Sequence, residues 1–294
     1  MRFASSRRCH CWAIWWLQRS STATPTASRK CRPNWPVGKP MRVISHTASN
    51  TEIVCALGAG NLLVGVDADS DFPADIVRQI PKLGRDLQLD LAAVEALRPD
   101  LVLTSLTVPG HERIVEALNR RGIPTLVADP ISLEDVFDDV RRIAKALGVP
   151  VAGEQLAAEM DAGMPQRVGA RRTRVLVEWW PKPVIVPGRD SWVTGLLARL
   201  GAHNPWHDAP SKSQPVTPEQ VVNAGPDLVI TSWCGVPEHQ LRPAHVIKRD
   251  GWQSVPAVTG GAVHAISEAY LGRPGPRLVE GYRQLAQHID TLPH

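Results

Sequence analysis

Short apolar runs alternate with amphipathic stretches along the chain from Met41 onward. This alternation is typical of a parallel sheet flanked by helices, so we expect an α/β fold. The apolar runs predict six strands, Arg42–Ser45, Leu101–Leu106, Thr125–Ala128, Arg174–Trp179, Leu228–Trp233 and Ala262–Ile266.

Residues that can cap a helix precede many of the amphipathic stretches. Two pairs have the spacing of a capping box, namely Ser49 with Glu52 and Ser132 with Asp135. Pro218 falls at a first helical position, where its missing N–H costs nothing. The further predicted caps are Asp90, Ser191 and Thr217.

A stretch of apolar residues at helical spacing runs from Ser132 to about Met160. It predicts one long helix, and Gly148-Val149-Pro150 marks the place where that helix would break. A stiff helix between two lobes permits small tilts but no large hinge closure.

The chain contains an internal repeat. The segment 98–106, Arg-Pro-Asp-Leu-Val-Leu-Thr-Ser-Leu, returns at 225–233 as Gly-Pro-Asp-Leu-Val-Ile-Thr-Ser-Trp. A second match occurs in the same order, between 42–44 with 57–59 and 174–176 with 200–202. Two ordered matches predict two Rossmann-like lobes with a ligand cleft between them. The predicted boundaries are 41–131 for the first lobe, 132–172 for a bridging helix and linker, and 173–294 for the second lobe.

Ligands of open α/β sheets bind beyond the carboxyl ends of the strands. In two facing lobes, those loops would share one cleft, and here they carry several aromatic side chains that suit a large, flat, partly apolar ligand. The predicted ligand-binding residues are Ser45, His46, Thr47, Phe72, Ser105, Trp179, Trp180, Trp233, Tyr270 and Arg273. One of the neighbours Trp179 and Trp180 should point into the core, because side chains alternate along a strand.

The charge of the chain is unevenly distributed. Residues 1–40 hold eight Lys or Arg and no Asp or Glu, whereas the remaining 254 residues hold 25 basic and 29 acidic groups. The basic pI therefore comes from the first 40 residues, and nucleic-acid binding is not expected of the rest. No run reaches the ~18 apolar residues of a membrane-spanning helix.

Residues 1–40 are predicted to be a disordered tail. Arg7-Arg8 followed by Cys9 to Leu17 is similar to a short signal peptide, but neither a cleavage site nor a lipid-attachment cysteine is evident. The alternative is that translation begins at Met41. A start at Met41 would place the protein in the cytoplasm.

Motifs across the body resemble cobalamin- and ferric-siderophore-type substrate-binding proteins of ABC importers. They run from 42–66 through Pro99-Asp100-Leu101-Val102, Gly122-Ile123-Pro124, 132–135 and Pro226-Asp227-Leu228-Val229 to Arg273-Pro274-Gly275-Pro276-Arg277. The stretches 178–181 and 232–235 are similar to a cobalamin subgroup. The resemblance implies a corrinoid ligand held between two lobes and delivered to an ABC permease. It also implies a periplasmic location.

In this family, one acid on each lobe meets arginines of the permease. Glu219 matches the second acid, whereas the first aligns with Ala92, so Asp90 and Glu95 beside it are the candidates there. Arg273 matches a ligand contact of the family. The positions at which the family has aromatic ligand contacts fall near Asp86, Ser105 and Ser213 in this chain, so these aromatic residues are missing.

No catalytic or metal site is predicted. Cys234 and His239 follow the same strand without an orienting third group, and His46, His111 and His264 lack ligand spacing. No cofactor is expected, because a cobalt corrinoid would be the ligand. We expect a monomer that binds a small molecule.

Three other functions remain open at this point. One is a cytosolic corrinoid-binding module without a permease, and another is the binding of a ferric siderophore instead of a corrinoid. The third is a tetrapyrrole metal chelatase, since those enzymes also use two facing α/β lobes. A chelatase would place a His and an acid together in the cleft.

Overall fold

The computed structural model describes residues 40–85, 87–168 and 172–293. All but the last residue of the predicted tail, and also Asp86, lie outside this part of the chain. None of the helices in the described residues combines the length and apolar character that crossing a bilayer requires.

The described strands, in chain order, are β1 (Val43–Ser45), β2 (Leu63–Val66), β3 (Leu101–Ser105), β4 (Thr125–Ala128), β5 (Val175–Glu178), β6 (Trp180–Pro181), β7 (Val184–Pro187), β8 (Ser213–Val216), β9 (Leu228–Thr231) and β10 (Val263–Ala265). The described helices are α1 (Ala48–Ala56), α2 (Ala74–Val77), α3 (Leu91–Leu97), α4 (His111–Arg120), α5 (Leu133–Ala146), α6 (Pro150–Ala162), α7 (Trp192–Arg199), α8 (Pro218–Ala224), α9 (Pro243–Ile247), α10 (Pro256–Thr259), α11 (Glu268–Leu271) and α12 (Leu278–Asp290). The α/β prediction is confirmed, and all six predicted strands are present.

The first lobe is built on a parallel sheet with the order β2-β1-β3-β4. Because side chains alternate across a strand, Val43 and Leu103 face one apolar cluster, while Ile44 and Val102 face another. The sheet is therefore covered on both sides, as all-parallel sheets usually are.

The second lobe carries a parallel sheet with the order β10-β9-β5 and a small antiparallel sheet with the order β6-β7-β8. In the small sheet, Trp180 pairs with Ile185 and Val184 pairs with Val216. This antiparallel sheet was not predicted. Its sequence is rich in proline, and Pro215 is tolerated because β8 is an edge strand.

The repeat seen in the sequence is a structural repeat. In the first lobe, the backbone N–H of Arg42 donates to the Asp100 carboxylate at 2.7 Å. In the second, the N–H of Arg174 donates to the Asp227 carboxylate at 2.9 Å. Each aspartate thus ties the start of the first strand of its lobe to the start of the neighbouring strand.

The connection between the lobes consists of two helices rather than one. α5 ends at Ala146 and α6 begins at Pro150, so the break falls at the Gly148–Pro150 segment. The two helices lie close together, since a Cβ added at Gly153 would come within 2.4 Å of the Ala144 Cβ. α5 also packs against α1 and α7, and this pair of helices thereby contacts both lobes.

Most predicted caps are found. The side chains of Asp90, Ser132, Ser191 and Thr217 accept backbone N–H bonds at the starts of α3, α5, α7 and α8. The capping box at Ser49 is wrong. α1 begins at Ala48 after Thr47, and Ser49 lies buried within the helix.

Candidate functional site

The floor of the first lobe is formed where β1 and β3 end. Ser45, His46 and Ser105 lie there, and all three are buried. Ser45 Oγ donates to the Thr47 carbonyl at 3.1 Å and accepts from Thr51 Oγ1 at 2.8 Å. Two of the predicted ligand-binding residues thus bond to each other at the end of β1.

The same network continues to the end of β2. Thr51 Oγ1 lies 2.7 Å from Ser70 Oγ, and Ser70 donates to Asp67. Burial raises the pKa of Asp67 to about 6. These hydroxyls are engaged within the lobe, so their role in ligand binding remains a prediction.

Two histidines lie side by side at this floor. His46 Nδ1 is 2.8 Å from Thr104 Oγ1, and His111 Nδ1 is 3.3 Å from Ser105 Oγ. The two rings are 5.1 Å apart between centroids, and both residues are buried. The arrangement holds β3 and α4 to β1, and the burial of His46 separates its ring from solvent.

The neighbouring tryptophans of the second lobe have opposite environments. Trp179 is 8% exposed and belongs to the core, whereas Trp180 is 45% exposed on β6. This is the alternation that a strand imposes. Trp180 therefore presents a large apolar surface just beyond the end of β5.

Trp233 lies within the second lobe. Its Nε1 donates to Glu178 Oε1 at 2.8 Å, and its ring stacks on that of His245. Glu178 is fully buried and also accepts two bonds from Arg249, at 2.7 and 2.9 Å. The indole N–H is drawn inward by this buried carboxylate, and Trp233 is only 7% exposed.

Lys212 of the second lobe reaches across to the first lobe. Its Nζ donates to the Leu106 carbonyl at 2.9 Å and to the Asp129 carboxylate. Leu106 and Asp129 directly follow β3 and β4. This contact, which we call the lysine bridge, joins the lobes at one edge of the first sheet.

Arg273 of the second lobe forms a second bridge. Its Nη1 donates to Glu52 at 3.0 Å and to Asp71 at 2.6 Å, and its Nε donates to Glu268. Arg277 adds a contact to Glu52 Oε1 at 3.3 Å. Glu52 lies on α1 and Asp71 follows β2, so this arginine bridge joins the lobes at the opposite edge of the first sheet.

Glu52 is a buried acid within the arginine bridge. Burial raises its pKa to about 7, against the lowering effect of Arg277 and Arg273. Its second carboxylate oxygen, Oε2, is buried without a hydrogen-bond partner. Its ionisation state therefore changes near neutral pH.

Phe72 and Tyr270, two predicted ligand contacts, both lie against Arg277. The guanidinium carbon is 4.6 Å from each ring centroid, which is the geometry of a cation–π contact. Both aromatic residues are half-buried. They are joined to the arginine bridge through Arg277. Thr47, also half-buried, directly precedes α1.

The two bridges lie on either side of the strand ends where the cleft is predicted. In the sheet order β2-β1-β3-β4, the arginine bridge lies at the β2 side and the lysine bridge at the β3–β4 side. Between them lie the carboxyl ends of β1 and β3, and Trp180 is exposed at the corresponding end of the second lobe. The arrangement can enclose a ligand but offers little for catalysis. Within the described part of the chain, no group of three or more His, Cys, Asp or Glu could hold a metal ion.

The predicted docking acids lie at equivalent helices of the two lobes. Asp90 caps α3, and Glu95 on α3 pairs with Arg121 at 3.0 Å. Glu219 is exposed in the first turn of α8, where bonds from its own N–H and the Thr217 hydroxyl lower its pKa. All three side chains are exposed, and docking remains a prediction for them.

Six charged residues of the bridges were not predicted as site residues, namely Glu52, Asp71, Asp129, Lys212, Glu268 and Arg277. Asp129 could have been found, because it follows β4 and the strand-end rule applies to it. Lys212 lies between two serines without any distinguishing pattern. Its position depends on how the lobes face each other, which a linear pattern does not report.

Three comparisons with known proteins agree with this geometry. A family model described as periplasmic binding protein matches residues 43–270. An uncharacterized ABC transporter substrate-binding lipoprotein of Bacillus subtilis (strain 168), YvrC, is 30% identical over 266 residues, covering 86% of this chain and 82% of that protein.

A vitamin B12-binding protein of Pectobacterium carotovorum is 27% identical over 262 residues, covering 86% of this chain and 90% of that protein. Among solved structures, the periplasmic heme-binding protein RhuT from Roseiflexus sp. RS-1 in its apo form superposes with a TM-score of 0.72 at 27% identity. The match covers 85% of this chain and 98% of that one.

Proposed function

The chain belongs to the periplasmic binding protein family, and from this premise we propose that it captures a corrinoid between its lobes for an ABC importer. The family consists of solute-binding proteins, not enzymes, which sets aside the tetrapyrrole chelatase. Membership of the family does not specify the ligand, because the similar proteins include both vitamin B12-binding and heme-binding proteins. The corrinoid is therefore our proposal.

The observation that carries the proposal is Trp180, which is exposed just beyond the carboxyl end of β5, where ligands of such sheets bind. An exposed indole supplies a flat apolar surface on which a planar macrocycle can rest. The first lobe contributes the buried hydroxyl network at the ends of β1 and β3. A ligand enclosed in this way would be held by shape and contact area.

Heme is the second candidate, favoured by the superposition on RhuT. A heme protein commonly supplies a side chain such as His to the iron. In this chain the candidate ligand His46 is buried below the strand ends and bonds Thr104. Heme and corrinoid both carry four in-plane nitrogen ligands, but cyanocobalamin also brings both axial ligands of its cobalt, the benzimidazole base and cyanide, so it makes no such demand on the protein.

The test is isothermal titration calorimetry of the full chain with cyanocobalamin, hemin and a ferric hydroxamate siderophore. We expect cyanocobalamin to bind with a Kd of about 1 μM or tighter, on the order of −8 kcal/mol. Hemin and the siderophore should bind at least tenfold more weakly. Binding of either one with clear preference over cyanocobalamin would replace the corrinoid with that ligand.

A further inference from the structure

We propose that the Lys212–Asp129 pair is a specificity determinant that recognises a carboxamide on the rim of the ligand and disfavours a carboxylate. This inference rests on the proposed function and deepens it. It gives the reason why an amide-rimmed macrocycle would be chosen over a carboxylate-rimmed one.

The pair lies where a ligand in the cleft would meet it. Lys212 Nζ contacts the Leu106 carbonyl and the Asp129 carboxylate, immediately beyond the ends of β3 and β4. The two side chains are 34% and 45% exposed. Both polar groups can therefore be approached from solvent while they remain paired with each other.

Lys212 is carried on a rigid support. The N–H of Gly188 donates to the Lys212 carbonyl at 3.1 Å, and the N–H of Asp190 donates to the Ser211 carbonyl at 3.1 Å. A Cβ added at Gly188 would lie only 2.2 Å from the Ser211 oxygen, so this close approach requires glycine. The loop that carries Lys212 is thereby fixed against the end of β7.

The chemistry of the pair matches an amide. A primary amide accepts through its carbonyl oxygen and donates through its NH₂ group, so it can meet an ammonium and a carboxylate side by side. A carboxylate only accepts, and its charge would be repelled by Asp129. The periphery of a corrin ring carries primary amides, whereas the rim of a protoporphyrin carries two carboxylates.

The opposite edge of the cleft also pairs its cations with acids. Arg273 is bonded to Glu52, Asp71 and Glu268, so its positive charge is already met by acids. Neither bridge presents a cation without an acid beside it. A ligand carboxylate would gain little at either edge, which agrees with a neutral, amide-bearing rim.

The test uses ligands that differ by one group. Cyanocobalamin is compared with its three monocarboxylic acid derivatives, each having one propionamide replaced by a propionate, in calorimetric titrations of the full chain. We expect the wild type to bind at least one derivative about tenfold more weakly than cyanocobalamin. A site that hydrogen-bonds a specific group rejects an analogue that lacks it.

Asp129→Asn should abolish this penalty for that derivative, because the repelling charge is removed and Lys212 is left to pair with the ligand. Lys212→Met should weaken cyanocobalamin binding and preserve or increase the penalty. Asp138→Asn is the matched control, an exposed acid paired with Arg141 on α5, and it should leave all four affinities unchanged.

The two proposals fail differently. A wild type that prefers hemin to every cobalamin would overturn both. The role of the Lys212–Asp129 pair alone would be overturned if the wild type binds cyanocobalamin tightly but Asp129→Asn leaves the Kd of every derivative, relative to that of cyanocobalamin, the same as in the wild type. An equal shift in the Asp138→Asn control would also overturn it, because the effect would then be one of net charge.

Discussion

Arg273 of the second lobe donates to the Glu52 carboxylate of the first at 3.0 Å, and this acid is buried with one oxygen left without a partner. Burial raises the pKa of Glu52 from 4.5 to about 7. The folded protein therefore holds this proton more tightly than the unfolded chain does. The resulting stabilisation is full below pH ~4.5 and is lost as the pH rises through about 7.

Glu52→Gln should remove this pH dependence. Relative to the variant, the wild type should lose up to about 3 kcal/mol of unfolding free energy between pH 4.5 and pH 8. Urea denaturation at several pH values measures it. Asp67 titrates in both proteins, so its contribution to the pH dependence cancels in the difference between them. Glu116→Gln, at an exposed position on α4, is the control, and parallel pH profiles for wild type and Glu52→Gln would contradict the assignment.

The three tryptophans should separate into two classes. Trp180→Ala should weaken corrinoid binding at least tenfold, about 1.4 kcal/mol, with little change in stability, because its ring is exposed. Trp179→Ala and Trp233→Ala should instead destabilise the fold by about 3–5 kcal/mol, because both rings are buried. Calorimetric titration and thermal melting distinguish the classes, and normal ligand affinity in Trp180→Ala would remove this side chain from the cleft.

The repeat predicts opposite effects at two equivalent helix ends. Arg98 ends α3 with φ 45°, and Gly225 ends α8 with φ 53°. This left-handed conformation costs a side-chain-bearing residue about 1 kcal/mol. Arg98→Gly should therefore stabilise the protein by about that amount, and Gly225→Ala should destabilise it similarly. Arg98→Ala is the control for loss of the side chain alone, and it should not stabilise as Arg98→Gly does in urea unfolding.

Docking can be tested without disturbing the caps. The triple variant Asp90→Asn, Glu95→Gln and Glu219→Gln removes the exposed acids, and Asn can still cap α3. If these acids meet a permease, uptake of labelled cyanocobalamin by cells should fall at least tenfold while the Kd of the purified protein is unchanged. Unchanged uptake would show that the importer is met by another surface. Glu116→Gln again provides a neutral exposed control.

Most of the fold could be predicted from the sequence. Its strands are buried on both faces and therefore stand out as apolar runs, and its repeat is explicit. The strand β2 was missed, because Gly65 interrupts its apolar pattern. A Cβ there would lie 2.5 Å from Leu83, so the glycine serves the packing of the lobe. The small antiparallel sheet was missed because its prolines argue against strands. A local sequence pattern does not indicate that a strand lies at the edge of a sheet, where proline is tolerated.

Only part of the site could be predicted from the sequence. The strand-end rule located the loops, and alternation along the strand anticipated that Trp179 and Trp180 would differ. It could not anticipate that Glu178 would hold the Trp233 N–H or that Arg277 would lie against Phe72 and Tyr270. Those contacts depend on distant segments, as does the lysine bridge between residues 83 positions apart.

The two bridges differ in how they should respond to ionic strength. The lysine bridge is half-exposed, whereas Glu52 and Arg273 are largely buried. Mobile ions screen exposed charges strongly and buried ones weakly. Added salt should consequently loosen the β3–β4 edge while the β2 edge stays closed. The lobes would separate at the lysine bridge while the arginine bridge stays formed. Ligand would then enter and leave at the β3–β4 edge, and its association and dissociation rates should rise with salt.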